Sequence, residues 1–351
     1  MWRKGLMKIN NCSSCGAKIE FSPHDKALKC TSCGNLYPVE YKYDTKKHPI
    51  GWLPDKSKLD DWSKQNRSYK CTICGAQVTF NRYDIVSKCQ YCSNTSMSPL
   101  KDLPGLKPEK IIPFKIDKVQ AKNEFSVRTK KRKFLPSKFK KNLPNTEMGA
   151  TYLSAFVFDG FVKASYYGRQ SHTRTVRDSN GKTRTETYYT SFSGNIEKQY
   201  VDVVVEANDK ISQDDIVDIL PYDFSESVDY NNDFIKGYNV GYYNQDVEQA
   251  EVVAKKEMLK DIERCIRSKY SSIDSLTINP TYSNIEYVYT MLPTYFINFK
   301  YKNKQYFNVM NGQNGKLTGK VPRSGLKITL FVLMILAIIG LPILLIALNF
   351  K

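Results

Sequence analysis

The chain has 351 residues, 41% of them hydrophobic and 13% aromatic, enough apolar material for a folded core and too much for a disordered polymer. Its formal net charge is +18, which admits acidic partners such as nucleic acid or anionic lipid without selecting one. Nine cysteines stand in a chain whose first residues, Met1 to Lys8, hold no apolar run of signal-peptide length, so a secreted disulfide framework is excluded and a reducing compartment is expected.

Eight of the cysteines fall in Cys-x-x-Cys pairs. Cys12, Cys15, Cys30 and Cys33 are spaced Cys-x2-Cys-x14-Cys-x2-Cys, and Cys71, Cys74, Cys89 and Cys92 repeat that spacing. The same offset superposes Gly16 on Gly75, Ala17 on Ala76, Phe21 on Phe80, Asp25 on Asp84 and Asn35 on Asn94, so two copies of one unit are expected. Zinc prefers four soft ligands in a tetrahedron, and two residues between paired cysteines let one tight turn aim both sulfurs at one ion. Gly16, Gly34 and Gly75 follow a second ligand, where the turn favours positive φ; Ser93 takes that place in the fourth turn. In the first unit the spacer predicts a hairpin: residues 18–21, a turn through Pro23, His24 and Asp25, then 27–29. We expect zinc ribbons at 8–36 and 67–98, each holding one structural Zn²⁺ that supplies its folding energy. With all four positions filled by sulfur, no place is left for a catalytic water. An iron–sulfur site is the chemical alternative. His24, His48 and His172 read as surface residues, and each loaded site lowers the net charge by 2, to about +14 for both.

Residues 37–66 read as a partly ordered linker with Trp52 and Trp62 packing on the ribbons. A basic, proline-containing connector follows at 99–145; residues 101–141 hold 14 Lys/Arg against 4 Asp/Glu. Its densest stretch, 128–141, interleaves Phe134 and Phe139 with cations, a pattern that suits anionic lipid or, less well, nucleic acid. Residues 201–264, with 16 Asp/Glu and 6 Lys/Arg, offer an acidic counterpart inside the fold.

Residues 146–324 read as an α+β domain of antiparallel strands and one long helix. Residues 152–158 alternate as a strand. Residues 172–177 and 182–189 form a Thr/Arg-rich hairpin, turned at Asn180-Gly181 and polar on both faces. Asp246 through Lys269 predicts a helix, with Asp246 and Gln249 as a capping box and Ala250, Ala254, Met258, Ile262 and Ile266 as its buried stripe. Cys265 borders that stripe as a core cysteine. Residues 287–321 predict a meander, with turns at Asn303-Lys304, Asn311-Gly312 and Asn314-Gly315. Finally, residues 328–350 carry no charge, so a single transmembrane helix is expected, or a shallow hairpin bent at Gly340 and Pro342. Lys316, Lys320, Arg323 and Lys327 precede it, which orients residues 1 to about 327 to the cytoplasm of a single-pass cell-membrane protein.

The paired cysteine motifs, Tyr152 to Gly160, the polar hairpin, and the run from Met291 through Asn311-Gly312-Gln313-Asn314-Gly315-Lys316 together resemble the bacterial membrane-anchored TFIIB-type zinc-ribbon proteins. Members are often mislabelled as a primosomal replication helicase, and some accompany phage-shock-protein-A-like envelope-stress systems. The resemblance implies a membrane scaffold or recruiting role. A motor is excluded by the residues themselves: no Gly-x4-Gly-Lys-Ser/Thr loop occurs, and neither a Gly-x-Ser-x-Gly elbow nor His-Glu-x-x-His is present. The expectation is a non-enzymatic, membrane-tethered adapter that recruits or senses a protein partner. A membrane-bound nucleic-acid-binding or transcriptional regulator is the alternative.

Overall fold

The computed structural model describes residues 11–44, 46–52, 66–81, 89, 91–92, 94–100, 107–143, 146–177, 179, 181–208, 211–241, 243 and 245–349. Trp62, Asp84, Ser93 and Asn180, which figure in the expectations above, lie outside them.

The first cysteine unit folds as a separate three-stranded sheet in the order β1 (Ile19–Ser22), β2 (Ala27–Cys30), β3 (Leu36–Pro38). The hairpin falls where the spacer predicted it, with Phe21 opposite Leu28 and both buried. Most of the remaining strands join one large sheet. Three long strands make its spine: β9 (Glu147–Arg177), β10 (Thr183–Glu206) and β13 (Ile273–Tyr301). β9 lies between the other two and pairs antiparallel with both. Through its lower half β9 is buried on both faces, and its side chains divide between two cores. Tyr152, Phe156 and Phe158 enter one; Leu153, Ala155 and Val157 enter the other. That is the period of two that the sequence showed at 152–158.

The outer edge of β13 is shared by β4 (His48–Pro49), β8 (Lys110–Ile111) and β14 (Lys304–Asn311), and β14 carries β15 (Leu317–Gly319). β8 pairs on its far side with β11 (Val228–Asp229). The β13–β14 hairpin turns at Lys302 and Asn303, both at positive φ as a tight two-residue turn requires, one residue earlier than expected. Beyond β9 on the other side, β12 (Asn239–Gly241) pairs in parallel with Thr151 and Tyr152 and antiparallel with β6 (Gln77–Asn81). Through β6 the sheet continues into β5 (Asn66–Cys71) and then β7 (Met97–Pro99).

The helices cover this sheet. α1 (Lys118–Lys130) starts at a capping box made by Asp117 and Gln120, and α2 (Ser137–Asn142) follows it. α3 (Gln213–Ile219) is capped by Ser212. α4 (Val247–Lys269) has the predicted capping box, with the Asp246 amide donating to Gln249 Oε1 at 3.3 Å, and it buries the predicted stripe. At ~1.5 Å per residue its 23 residues cover about 34 Å of the spine.

Two bulges divide the spine. β10 slips register between Tyr200 and Val203, and β13 between Ser283 and Glu286. The first faces Phe158–Gly160 of β9 and the second Asp159–Phe161, from opposite sides. Below them the strands are buried. Above them one face lies under α4, through Val162, Ala164 and Tyr166, while Lys163, Ser165 and Tyr167 face solvent. Past Tyr270, which stacks on Phe192 with ring centroids 4.0 Å apart, the helix has ended and the β9–β10 hairpin continues alone.

Several expectations are corrected here. The domain is mostly β rather than α+β, because the spine strands run far beyond the segments that periodicity marked, and two of its pairings are parallel. Trp52 packs on the domain and not on a ribbon: it stacks on His48 at 3.5 Å, and its carbonyl accepts a hydrogen bond from Tyr287 Oη. His48, expected at the surface, is buried, with Nε2 2.6 Å from Glu109 Oε2. The last correction concerns the C-terminus. α5 (Gly325–Asn349) forms, but among the described residues no helix is long and apolar enough to cross a membrane. Its side chains are described only to Gly340, so the described part of the apolar run, 328–340, covers about 20 Å against a hydrocarbon thickness of ~30 Å; the side chains of 341–350 lie outside the described residues. The transmembrane helix at 328–350, the integral single-span membrane partner and the single-pass cell-membrane localisation are therefore not sustained. The lipid reading of 128–141, which drew its weight from a neighbouring anchor, loses that support.

Candidate metal centres

Each ribbon is built from two tight turns at its hairpin ends. In the first turn of ribbon 1 the Cys12 amide donates to Ala17 O and the Gly16 amide to Cys12 O, both at 2.8 Å. In ribbon 2 the Cys71 amide donates to Ala76 O and the Gly75 amide to Cys71 O, both at 2.9 Å. Gly16 and Gly75 both sit at φ 73°, a conformation that a side chain disfavours. The second turns repeat the pattern, Cys30 to Asn35 at 2.9 Å and Cys89 to Asn94 at 2.7 Å.

These turns bring the eight predicted ligands together as two sets of four: Cys12, Cys15, Cys30, Cys33 and Cys71, Cys74, Cys89, Cys92. Within each set the sulfurs lie no more than 4.8 Å apart. All eight are free thiols. Cys12 and Cys33 are 3.5 Å apart, as are Cys15 and Cys30, while the corresponding pairs in ribbon 2 are at 3.6 and 3.7 Å. A tetrahedron with Zn–S bonds of ~2.3 Å has edges of about 3.8 Å, so the sulfur cages fit the ion.

The electrostatics also ask for a cation. The Tyr37 hydroxyl first, and then the amides of Ser14 and Cys15, outweigh burial and bring the Cys12 thiol down to about 5. Amides of Cys33 and Ser32 lower Cys30 in the same way. The Asn35 amide lowers Cys33 too, but the neighbouring sulfurs of Cys12 and Cys30 outweigh it and push Cys33 up to about 12. In ribbon 2, burial opposes the Cys71 thiolate, yet the amides of Cys74 and Ile73 bring it down to about 7. Burial pushes Cys74 up to about 11 and Cys89 higher still. Four thiolates this close repel one another unless a dication sits among them, and binding Zn²⁺ would release the remaining protons. The two four-cysteine groups are positioned to bind two structural metal ions, consistent with two zinc ions.

A further turn of the same shape has no cysteine: the sequence marks turns at Asn311-Gly312 and Asn314-Gly315, but their likeness to the cysteine turns went unrecognised. In Asn311-Gly312-Gln313-Asn314-Gly315 the Asn311 amide donates to Lys316 O and the Gly315 amide to Asn311 O, both at 2.9 Å, with Gly315 at φ 72°. Asn311 Oδ1 accepts from the amides of Gln313 (2.8 Å) and Asn314 (3.2 Å), as Cys30 Sγ accepts from Ser32 and Cys33 at 3.4 Å. Asn311 and Asn314 thus take the places of the first and second cysteine. Their Nδ2 groups point at backbone oxygens: Asn311 at Ile219 and Pro221, Asn314 at Pro221, while Lys316 Nζ reaches Leu220 O. Side-chain amides clamp a loop where zinc would clamp two turns. The signal was present as Asn-x-x-Asn-Gly beside Cys-x-x-Cys-Gly.

Other expected residues are placed apart from the metal centres. His24 is exposed, and His172 stacks on Tyr188 at 5.1 Å. Cys265 is half-buried on α4 beside the stripe. The proposed exchange between basic connector and acidic region is met in part, by Lys110 on Asp229 and Lys115 on Glu226, each at 2.6 Å.

No protein-family model matches the chain, and no solved structure does. The chain is similar to the uncharacterized protein YdjG of Bacillus subtilis (strain 168), 26% identical over 319 residues and 89% of each chain. Of the resemblance drawn from the sequence, the structure carries the pair of zinc-ribbon-like four-cysteine clusters.

Proposed function

We propose that this protein is a non-enzymatic zinc-ribbon adapter whose metal ions hold a framework and whose β9–β10 hairpin engages a protein partner. The observation that carries this reading is the length of that hairpin beyond the end of α4. Residues 171–177 and 183–189 form a two-stranded arm with Tyr188 and Tyr189 exposed. Arg169 lies 4.9 Å from the Tyr189 ring centroid and Arg174 5.8 Å from that of Tyr188. Tyrosine and arginine dominate the energetics of protein interfaces, because each brings a broad contact surface with a polar end. Closed four-sulfur metal sites support the absence of metal catalysis.

Nucleic acid is the second reading, favoured by the arm's cations. Those cations are largely committed to carboxylates: Arg169 at the arm's base to Asp274 of β13, and both Arg174 and Arg184 to Glu186. That leaves less free positive charge for phosphates. The test is site-specific photocrosslinking in cells from position Tyr189, with Val252 on α4 as the control. A discrete protein adduct from Tyr189 alone, lost in an Arg169→Ala/Arg174→Ala variant, supports the adapter. Adducts composed of RNA or DNA would transfer the arm to the second reading.

A further inference from the structure

A second surface differs from the arm in one respect: its cations have no partners among the described residues. A cavity of about 970 Å³ opens where the turn after α1, the start of β14 and the segment after β15 meet. Arg132, Lys133, Lys304, Lys320 and Arg323 line it, against a single carboxylate, Asp215. None of the five cationic side chains makes an ion pair or hydrogen bond to a described residue. Asp215 is already engaged, accepting from Ser212 Oγ at 2.7 Å and Thr318 Oγ1 at 3.3 Å. Those neutral hydroxyls leave its charge intact, so one negative charge faces five positive ones.

The backbone that carries these cations is held firmly. The Ser324 amide donates to Phe134 O at 2.7 Å, Lys327 Nζ to Leu135 O at 2.7 Å, and Asn308 Nδ2 to Lys320 O at 3.1 Å. Phe134 itself lines the cavity at φ 62°, a conformation that costs a bulky residue energy and that the surrounding contacts must enforce. Five like charges gathered around one volume repel one another until an anion enters. The volume lies at the upper end of small-molecule pockets, ~300–1,000 Å³, and so has room for a nucleotide-sized ligand. Cations gathered about one cavity suit a compact polyanion better than a strand, which needs a track. Tyr306, also in the lining, adds aromatic surface for a planar group.

We propose that this cavity binds a compact organic polyphosphate of the nucleoside triphosphate class. The probes are ATP and inorganic tripolyphosphate, titrated by calorimetry into the zinc-loaded full chain. The expected result is saturable one-to-one binding of ATP that weakens as salt rises. In an Arg132→Gln/Arg323→Gln variant the affinity should fall at least tenfold for each charge-assisted contact removed. An Arg174→Gln change on the arm should leave it unaltered. Tripolyphosphate binding as well as ATP places recognition in the phosphates, and weaker binding adds the nucleoside; either supports the site. If the first variant shows a lower Tm than the parent, Lys304→Gln/Lys320→Gln replaces it. No saturable binding of either probe overturns the proposal. So does equal weakening by the arm substitution, or a single-stranded oligonucleotide that binds more tightly through the same residues.

Discussion

Ribbon 1 keeps its three strands to itself and meets the domain without strand pairing, through packed rings and an isolated backbone bond. Phe21 and Tyr41 both pack edge-on against Phe234, at 5.3 and 5.1 Å, and the Phe21 amide donates to Lys236 O. Ribbon 2 instead gives β6 to β12, so its hairpin is the edge of the central sheet. Its sulfurs are also better covered: Cys74 and Cys92 are half-buried, whereas Cys15 and Cys33 of ribbon 1 are exposed. Two copies of one motif, with one spacing and one metal, therefore carry different structural duties. The cysteines dictate the local cage, and the strands beside them decide what depends on it.

The largest effect expected from this difference is on stability. Replacing Cys71 and Cys89 with Ser removes the ion that closes ribbon 2, and a structural zinc is worth ~10–16 kcal/mol to its fold. Losing even half of that reaches the ~5–15 kcal/mol that holds a whole domain folded. The β6–β12 pairing should open, and the amides that join Val78 and Thr79 to Val240 and Gly241 should lose protection from hydrogen exchange. Replacing Cys12 and Cys30 should unfold ribbon 1 while those amides stay protected. Equal loss of protection in both variants would break the comparison.

A smaller effect is the order of metal release. Chelator titration followed by a colorimetric zinc indicator should show two steps, because the first ion sits behind two exposed sulfurs and the second behind two half-buried ones. Alkylation with mass spectrometry assigns the steps: Cys15 and Cys33 should be modified in the first, Cys74 and Cys92 in the second. Release in one step, or in the reverse order, contradicts the burial argument.

The cysteine cages were legible because zinc chemistry is local: four ligands at fixed spacing suffice. The same holds for α4, whose cap at Asp246 and stripe from Ala250 to Ile266 are contained in one segment. What could not be read is non-local. Glu147 to Arg177 form one strand because β10 and β13 flank it along its length, and no window of residues around 152–158 announces those neighbours. Likewise nothing near His48 foretells that Glu109, 61 residues on, will bond it in the interior.

The cysteine-free turn at Asn311 sharpens the comparison, because it asks how much of a zinc turn survives without zinc. Asn311 is fully buried, and its side chain makes two hydrogen bonds as acceptor and two as donor. Asn311→Ala removes all four, taking the side-chain donor from the Ile219 carbonyl and the acceptor from the Gln313 and Asn314 amides, while the Pro221 carbonyl keeps its bond from Asn314. Burying unpaired polar groups costs about 1–3 kcal/mol, well below the cost of losing a metal. The loss should appear as a lower denaturant midpoint with an unchanged slope, and with two zinc ions still bound. Chelation separates the two kinds of turn: the increment due to Asn311→Ala should be the same in zinc-loaded and zinc-stripped protein, since no ligand sulfur contacts this clamp. If stripping the metal abolished the increment, the amide turn would depend on the ribbons, and the division between metal-held and amide-held turns would fail.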